Sequence, residues 1–419
     1  MVQWVPVTPL KYRFLLSVSC ENAYDRVLIE GVSDFVHCHS ECDFSLVLPT
    51  QLERALVRER PDGVICRLFD RKTCRIVRRL GIPVVDLISS QPPDFATAVT
   101  PDNDLIGRMA AEHFLDRRFT RFAFFGYRGI DYSERRRDGF RARLAEADCR
   151  ALVFEVATER WRYDGFARLP GYPNATVPDA AQLVRQIASL EKPVAVFCCH
   201  DPRAVAVLAA CRRSGVAVPG EVAILGVDND PICCCFSSPR LSSIDPSARR
   251  MGQMAAERLL ELAATGVRRP LGRTLTIPPE GIVMRESSEV YPIKPDWLSD
   301  ALVYIRRNAV RGISAGDVFS ALGLSHTLVQ SAFRKTLGMS VQKAIVDIRM
   351  DEARRLLRTS RLSVSEVAAA SGFMSLHYFS QSFTAVHGVS PQAWRDSRLQ
   401  TSISCCEKRS SSRFGRERD

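Results

Sequence analysis

The first two-thirds of the chain alternate short apolar runs with helix-like stretches, and this alternation restricts the fold more than any other feature. The runs are almost continuously apolar and lie at residues 12–18, 44–48, 63–68, 83–88, 122–127, 152–157, 194–198 and 222–227. Strands buried on both faces of a parallel sheet have this pattern, whereas strands with one solvated face alternate. Because segments of helical periodicity separate the runs, we predict a doubly wound α/β architecture.

A proline-containing joint, Tyr291-Pro-Ile-Lys-Pro-Asp296, ends this pattern. Proline continues neither a helix nor a central strand, so we place a domain boundary there. Within the α/β domain we expect one lobe of residues 11–120 plus the chain after 241, and a second of 121–240. We expect five segments: an N-terminal extension (1–10), a ligand-binding α/β domain (11–290), a linker (291–296), an all-helical domain (297–397) and a basic tail (398–419).

Positive charge is concentrated towards the C-terminus. The whole chain carries a net charge of +11, and residues 297–397 hold twelve Lys/Arg against seven Asp/Glu, a net of +5. The tail holds six against three. This distribution favours a polyanionic partner such as DNA, although a solvated basic face would look the same.

Several functional classes lack support in the sequence. The first residues have no cationic start followed by an apolar core, and no apolar run approaches the ~18 residues of a membrane span, so we expect a cytoplasmic protein without a membrane partner. The fourteen cysteines include no CxxC pair, and His37-Cys38-His39 with Cys42 fits no zinc spacing. Because no phosphate loop or supported catalytic motif occurs, we expect no enzyme activity, metal or cofactor.

An internal repeat organises residues after the joint. A displacement of fifty superposes Ser325 on Ser375 and Phe333 on Phe383, and one of forty-nine superposes Gly323 on Gly372. Each copy has the pattern helix, glycine turn, helix. A helix predicted over 341–358 joins the copies and would span about 27 Å at ~1.5 Å per residue. It could hold two recognition helices near one DNA turn apart, ~34 Å.

The second helix of each copy has two distinct faces. We expect one face to pack inward, with residues Leu328, Val329, Ala332 and Phe333 in the first copy and Tyr378, Phe379, Ser382 and Phe383 in the second. The outward faces carry mostly short donors and acceptors suited to base edges in a major groove, although a plain helical bundle is the alternative. The candidate DNA-binding residues are His326, Thr327, Gln330, Ser331, Arg334, Leu376, His377, Ser380, Gln381 and Thr384.

Residues 313–395 resemble the DNA-binding domain of the AraC/XylS family of transcription regulators. The resemblance implies that double-stranded operator DNA is a partner, with RNA polymerase as a further one. It rests on the positions of Gly372, Phe373, Phe379, Phe383, Gly388 and Pro391.

Residues that follow strands are the candidate ligand contacts of the α/β domain, because such folds bind ligands at the carboxyl ends of strands. A lone Asp at such a place is also commonly a helix cap or turn residue, so both interpretations stay open. The candidates by position are Ser19, Phe69, Tyr127, His200, Asp201, Asp228 and Asn229.

Residues 11–286 resemble the effector-binding domain of the LacI/GalR regulators, which is akin to periplasmic sugar-binding proteins. The resemblance implies two lobes, a homodimeric assembly and a monosaccharide effector such as xylose. It also implies effector contacts from Arg136, Asp201, Asp228 and Asn229, with His200 at a position where relatives often have Asn. That family carries its DNA-binding domain at the N-terminus, whereas here we predict it at the C-terminus.

The predicted fold is thus an α/β two-lobed periplasmic-binding-protein-like domain followed by an all-α tandem helix-turn-helix domain. We expect a transcription regulator in which ligand closes the lobes and changes the spacing of the DNA-binding domains in a dimer. Three alternatives stay open: a solute-binding protein, a sugar-active enzyme and a constitutive DNA-binding protein with a degenerate pocket.

Overall fold

The chain folds into two compact units that divide between Glu289 and Val290. The computed structural model describes residues 11–68, 71–88, 90–157, 180–266, 272–360 and 362–396, so the expected N-terminal extension and basic tail lie outside the described residues. Tyr291 and Ile293, from the expected linker, pack against the hydrophobic core of the second unit.

Two six-stranded sheets form the first unit, one in each lobe. The first sheet contains β1 (Tyr12–Ser17), β2 (Cys42–Val47), β3 (Gly63–Cys66), β4 (Val84–Asp86), β5 (Thr97–Pro101) and β11 (Thr274–Ile277), in the order β11-β5-β4-β3-β1-β2. The second contains β6 (Phe122–Arg128), β7 (Ala151–Ala157), β8 (Val194–Cys198), β9 (Val222–Val227), β10 (Ser242–Asp245) and β12 (Gly281–Val283), in the order β12-β10-β9-β8-β6-β7.

Both sheets share one topology, and it determines where a ligand can bind. The described strand pairs are parallel except β10 with β12. The strand order reverses between β1 and β3 in the first sheet and between β6 and β8 in the second. A crevice forms at such a reversal, outside the carboxyl ends of the strands, and is where open α/β sheets bind ligands.

Helices cover both faces of these sheets. Those of the first unit are α1 (Ala23–Cys38), α2 (Leu52–Glu59), α3 (Arg71–Leu80), α4 (Asn103–Leu115), α5 (Asp131–Ala145), α6 (Ala180–Ser189), α7 (Asp201–Arg213), α8 (Pro231–Cys235) and α9 (Ala248–Thr265). Strands β3, β8 and β9 are buried along their whole length, which explains their continuous apolar sequence.

The boundary between the lobes differs from the expected one. Helix α4, expected in the first lobe, packs against α5 of the second, where a Cβ on Gly107 would lie 2.2 Å from the Arg136 carbonyl oxygen. Strand β10, expected to return to the first lobe, pairs with β9 of the second. The chain therefore crosses between the lobes after β5, after β10 and after β11.

Hydrogen bonds tie the three crossings together. The Asp102 N–H donates to the Ile277 carbonyl oxygen at 2.8 Å, and the Ser247 hydroxyl donates to the Pro278 carbonyl oxygen at 2.7 Å. The Glu280 N–H donates to the Asp245 carbonyl oxygen at 3.0 Å. The connection between the lobes is thus one hydrogen-bonded group of short segments, the arrangement in which a few residues absorb a hinge motion.

The described part of the second unit is helical. Its elements are α10 (Asp296–Asn308), α11 (Ala315–Leu322), α12 (His326–Ala332), a π-helical turn (Phe333–Leu337), α13 (Val341–Thr359), α14 (Val364–Ala370) and α15 (Leu376–His387). The predicted repeat is visible in the caps, because Ser325 and Ser375 each accept a hydrogen bond from the backbone N–H three residues later. The linking helix predicted over 341–358 is confirmed as α13.

Each helix-turn-helix copy has its own hydrophobic core, and α13 contributes to both. Ala344 and Ile345 belong to the core of the first copy, and Met350 and Ala353 to that of the second. Between them, the Arg349 guanidinium is 7% exposed and donates to the carbonyl oxygens of Ala309 at 2.8 Å and Ile313 at 2.7 Å. Burial lowers the pKa of Arg349.

Candidate effector cleft and DNA-binding surface

A cleft opens where the carboxyl ends of the two sheets of the first unit face each other. Its lining includes Tyr24, Arg67 and Ile88 from the first lobe, and Arg136 and Asp228 from the second. It encloses about 100 Å³. This space suits a small ligand such as a monosaccharide.

Arg136 is held at the cleft by two hydrogen bonds within the second lobe. It is 3% exposed, its Nε donates to Asn103 Oδ1 at 2.9 Å, and its Nη1 donates to the Cys199 carbonyl oxygen at 2.5 Å. Its guanidinium carbon lies 5.1 Å from the centre of the Tyr132 ring. These contacts fix the direction of the guanidinium before any ligand arrives.

Asp228 faces Arg136 but does not close a hydrogen bond with it. The Arg136 Nη1 and the Asp228 Oδ1 are 3.9 Å apart, and the Asp228 side chain is 19% exposed. Asp228 adopts a positive φ of 112°, which directs the turn after β9. Burial raises the pKa of Asp228 to about 7, Arg136 opposes this rise, and the nearby carboxylates of Asp230, Asp25 and Asp245 add to it.

His200 lines the cleft, and one of its two ring nitrogens is buried without a hydrogen-bond partner among the described residues. Its Nδ1 accepts a hydrogen bond from the Arg203 N–H at 3.1 Å, so in a neutral ring the Nε2 carries the hydrogen. His200 is 6% exposed and lines the cleft, and its Nε2 has no hydrogen-bond partner among the described residues. Burial lowers the pKa of His200 to about 3, so the ring is neutral at physiological pH. The His200 Nε2–H is therefore a hydrogen-bond donor without an acceptor among the described residues.

Asp201 and Asn229 lie beneath the cleft rather than on its surface. Asp201 is fully buried, and its carboxylate accepts from the Ser243 hydroxyl at 2.7 Å and from the Asp230 N–H at 2.8 Å. The Asn229 side-chain oxygen accepts from Arg285 Nη2 at 2.7 Å. Burial raises the pKa of Asp201 well above its usual range. Both residues hold the turn that carries Asp228.

Of the remaining candidate ligand contacts, Ser19 and Tyr127 are not among the described residues that line the cleft. The Ser19 hydroxyl accepts from the Glu21 N–H at 3.2 Å, within its own turn. Tyr127 is buried behind His200, with ring centres 5.5 Å apart in an edge-on arrangement. Phe69 lies outside the described residues.

The sequence analysis missed the polar contribution of the first lobe. Arg67 follows β3 directly, lines the cleft, and forms a buried ion pair with Asp25, in which Nη1 donates to Oδ2 at 2.9 Å. The Tyr24 hydroxyl donates to Met251 Sδ at 2.9 Å, and burial raises its pKa. Arg67 follows a buried strand, as His200 does, so the same rule could have selected it as a candidate ligand contact.

The outward faces of α12 and α15 are largely solvent-exposed. Gln330 and Ser380 are half-buried, while the other candidate DNA-binding residues are exposed. The expected inward orientation of Leu328 and Tyr378 is wrong, because they are 48% and 47% exposed. Only Val329 with Phe333, and Phe379 with Phe383, are buried in these faces, because helices this short contact the core along a narrow stripe.

The described residues contain neither a candidate metal-binding cluster nor a helix that could span a membrane. No group of three or more His, Cys, Asp or Glu among the described residues is placed to hold a metal ion. Within the described ranges, no helix has the length and apolar character to cross a membrane.

Both domains match known families. Residues 111–288 match the family described as a periplasmic binding protein-like domain, and residues 319–397 match a helix-turn-helix domain. The two matches occur in the order that the sequence predicted.

Similar proteins share this order over nearly their whole length. The xylose operon regulatory protein of Escherichia coli (strain K12) is 26% identical over 401 residues, covering 92% of this chain and 97% of that protein. The corresponding protein of Haemophilus influenzae is 24% identical, covering 93% and 99%. A solved structure of a xylose-binding transcription activator is 26% identical, with a TM-score of 0.56 over 92% of this chain and 98% of its own. A cellobiose complex of a transcriptional regulator, 21% identical with a TM-score of 0.54, covers 67% of this chain and 86% of its own and shares the fold.

Proposed function

We propose that the effector of this chain, a ligand-controlled transcription regulator with a periplasmic-binding-protein-like domain and an AraC-type helix-turn-helix domain, is D-xylose or a closely related pentose. The observation that carries the proposal is similarity over both domains, and across 92% of the chain, to regulators named for xylose. The chemistry of the cleft is consistent with such a ligand.

A sugar needs donors, acceptors and an apolar surface in one small space, and the cleft offers all three. Each sugar hydroxyl both donates and accepts. Arg136 and the His200 Nε2–H can donate to it, and Asp228 can accept from it. Leu87 and Ile88 supply apolar surface for the carbon face of the ring. We therefore assign the direct sugar contacts to Arg136, Asp228 and His200.

Asp201 and Asn229 support sugar binding indirectly in this proposal. Their side chains are engaged beneath the turn at residues 228–230, so they position Asp228 rather than contact the sugar. Losing a buried partner of this kind costs about 1–3 kcal/mol, because a polar group is left unsatisfied.

For the DNA-binding unit, we infer that α12 and α15 present their outward faces to two successive major-groove segments. Helix α13 has nineteen residues and therefore a length of about 28 Å at ~1.5 Å per residue, close to the ~34 Å of one DNA turn. The exposed side chains at the start of each helix are the ones that such a placement brings to base edges.

The proposed mechanism is a population shift between two arrangements of the lobes. Ligand contacts both sides of the cleft and favours the closed arrangement, with bending at the three crossings. In a homodimer, closure changes the separation of the DNA-binding units and hence their contact with operator DNA and RNA polymerase. This role involves binding without chemical conversion of the sugar, and operator binding places the protein in the cytoplasm.

A sugar panel with the full chain tests the proposal. D-xylose at 100 times its dissociation constant should stabilise the first unit by ~2.7 kcal/mol in thermal unfolding, while hexoses that overfill the cleft should have little effect. Stabilisation by hexoses alone would refute the choice of a pentose. DNA binding without stabilisation by any sugar would favour the constitutive alternative.

A further inference from the structure

Two large apolar side chains stand exposed at the start of the second recognition helix. Met374, in the turn before α15, is 92% exposed, and Leu376, in its first turn, is 47% exposed. The Ser375 cap between them fixes the helix start, accepting from the Tyr378 N–H at 3.3 Å. Exposed apolar surface of this kind marks a place of contact with another molecule.

The first copy differs at the equivalent positions. Leu324 is half-buried and packs against the core of that copy, and His326 places its ring edge-on to Phe319 with centres 4.7 Å apart. Leu328 of the first copy and Tyr378 of the second occupy equivalent positions and are both exposed, so they do not distinguish the two copies. The exposed apolar side chains at positions 374 and 376 therefore have no counterpart in the first copy.

The two copies also differ in their content of charged residues. Residues 367–394, which include the whole of α15, contain no Asp, Glu, Lys or Arg, whereas the first copy has Arg334 and Lys335 at the end of its recognition helix. A helix without charged side chains forms no ion pairs with phosphates and can contact them only through neutral donors. Its contribution to DNA binding must come from neutral hydrogen bonds and apolar contact.

Only one apolar group projects from base edges into the major groove, the 5-methyl of thymine. Residues at the start of a recognition helix are those that reach base edges. A protein partner on the same surface would compete with DNA for His377, which lies beside Leu376 and is also exposed. Thymine is thus the occupant that the position and the chemistry favour together.

We propose that the second helix-turn-helix copy reads thymine methyl groups through Met374 and Leu376, whereas the first copy reads its half of the operator by hydrogen bonds. The inference rests on the proposed placement of α12 and α15 in successive major grooves. It predicts an operator with one thymine-dependent half and one half that tolerates loss of the methyl groups.

The test uses deoxyuridine, which pairs as thymidine does and lacks only the methyl group. A duplex is first selected from a random pool by the full chain, without sugar and again with D-xylose. Thymidines of the selected duplex are then replaced one at a time, and the dissociation constant is measured for each. We expect a loss of about fourfold per contacted thymine, from burial of one methyl-sized group, clustered in one half of the site.

Two variants assign the effect to its side chains. Leu376→Ala and Met374→Ala should bind the thymidine duplex more weakly and lose the discrimination at one position each. Val386→Ala, at the other end of α15 and 51% exposed, is the matched control and should discriminate as the unchanged chain does.

Three results would overturn the inference. Equal binding of thymidine and deoxyuridine duplexes in both halves would refute methyl reading and leave the proposed function intact. Discrimination that persists in both variants would assign the methyl contact to other residues. Failure to select any DNA would refute the proposed function itself, and the inference with it.

Discussion

Arg136 and Asp228 are opposite charges 3.9 Å apart that do not complete a hydrogen bond with each other. Arg136 is fixed instead by Asn103 and the Cys199 carbonyl, and the Asp228 carboxylate makes no hydrogen bond to another described side chain. A half-buried acceptor left in this state costs some free energy that a ligand hydroxyl can recover. Arg136 and Asp228 therefore leave room for a ligand hydroxyl between them instead of forming a closed ion pair.

The ionisation of Asp228 should control sugar affinity. Its pKa of about 7 without ligand means that the carboxyl is mostly protonated at pH 6 and mostly ionised at pH 8. A sugar hydroxyl that donates to the carboxylate selects the ionised form, so binding at pH 6 must release a proton. Affinity should therefore rise about tenfold from pH 6 to pH 8 and level off above the pKa. Calorimetry across this range measures it, and His200, with a pKa of about 3, does not titrate there.

Asp228→Asn should weaken the sugar about tenfold at pH 8 and remove the pH dependence. The change keeps the side-chain shape but removes the charged acceptor, and a hydrogen bond to a charged group contributes about 1.5–3 kcal/mol. The matched control is Asp34→Asn, at an exposed ion pair with Arg249 outside the cleft lining, which should change neither. Unchanged affinity with a lower unliganded melting temperature would mean that Asp228 serves only the turn.

Three of the candidate ligand contacts lie together in the folded first unit, and their contact with a ligand stays a prediction. Arg136, His200 and Asp228 do line one cleft, because the ends of parallel strands converge at one edge. Position after a strand does not determine whether a side chain turns into the cleft or beneath it, and Asp201 turns beneath, towards Ser243. The ion pair of Arg67 with Asp25 was not predictable, because the two residues are forty-two apart in the sequence and meet only in the folded lobe.

The tandem helices form a single unit because one helix and one turn join them. Arg349 of α13 donates to two carbonyls near the end of α10 and beyond it, and Gly372 approaches the same segment. Gly372 has φ +84°, and a Cβ there would lie 2.7 Å from the Ala309 carbonyl oxygen. Glycine is therefore required at this turn for both backbone conformation and space.

Gly372→Ala should destabilise the second unit by at least about 1–2 kcal/mol, the cost of a left-handed conformation for a residue with a Cβ. Denaturant unfolding of the full chain measures the loss, and DNA affinity should fall with it. Gly316→Ala is the control, because its Cβ would meet Ser314 Oγ at an ordinary 3.4 Å inside helix α11. Equal stability of the two variants would contradict the role of Gly372.

The pattern of elements was predictable where the segments are long or continuously apolar. The eight predicted strands and helix α13 are present, and the fifty-residue repeat reappears in the caps at Ser325 and Ser375. Strands β5, β10 and β11 were missed because they are four or five residues long and partly polar, and β12 because it has only three residues. Such strands are specified by their sheet neighbours rather than by local sequence.

The expected lobe boundary was wrong for the same reason. A sequence pattern does not show that Ser242–Asp245 pairs with β9, and this pairing keeps the chain in the second lobe until α9 begins. The three crossings between lobes are a property of the folded first unit as a whole.

Helix α8 connects the cleft with an exposed apolar surface on the first unit. Asp230 lines the cleft, and its Oδ1 accepts from the Ile232 N–H at 2.8 Å and the Cys233 N–H at 3.3 Å, which caps α8. Ile232 and Phe236 are 60% and 89% exposed. A self-complementary contact across a two-fold axis would bury these side chains in a dimer and connect ligand binding to the interface.

Phe236→Ser should weaken the proposed homodimer, because truncating a central aromatic side chain in an interface costs about 2 kcal/mol or more. Sedimentation equilibrium of the full chain measures the dimer dissociation constant, with an expected rise of about thirtyfold for that loss. Val57→Ser, 61% exposed on α2, is the control and should leave it unchanged. An unaltered dimer in the Phe236 variant would place the interface elsewhere.

A sugar bound in the cleft should change DNA binding by the second unit. The direct test is the affinity of the full chain for its selected DNA duplex, titrated with D-xylose at fixed salt. We expect a shift of about 5–150-fold at saturating sugar, corresponding to a coupling of ~1–3 kcal/mol, and the same shift in sugar affinity when DNA is bound. Binding of both ligands with each affinity independent of the other would contradict it.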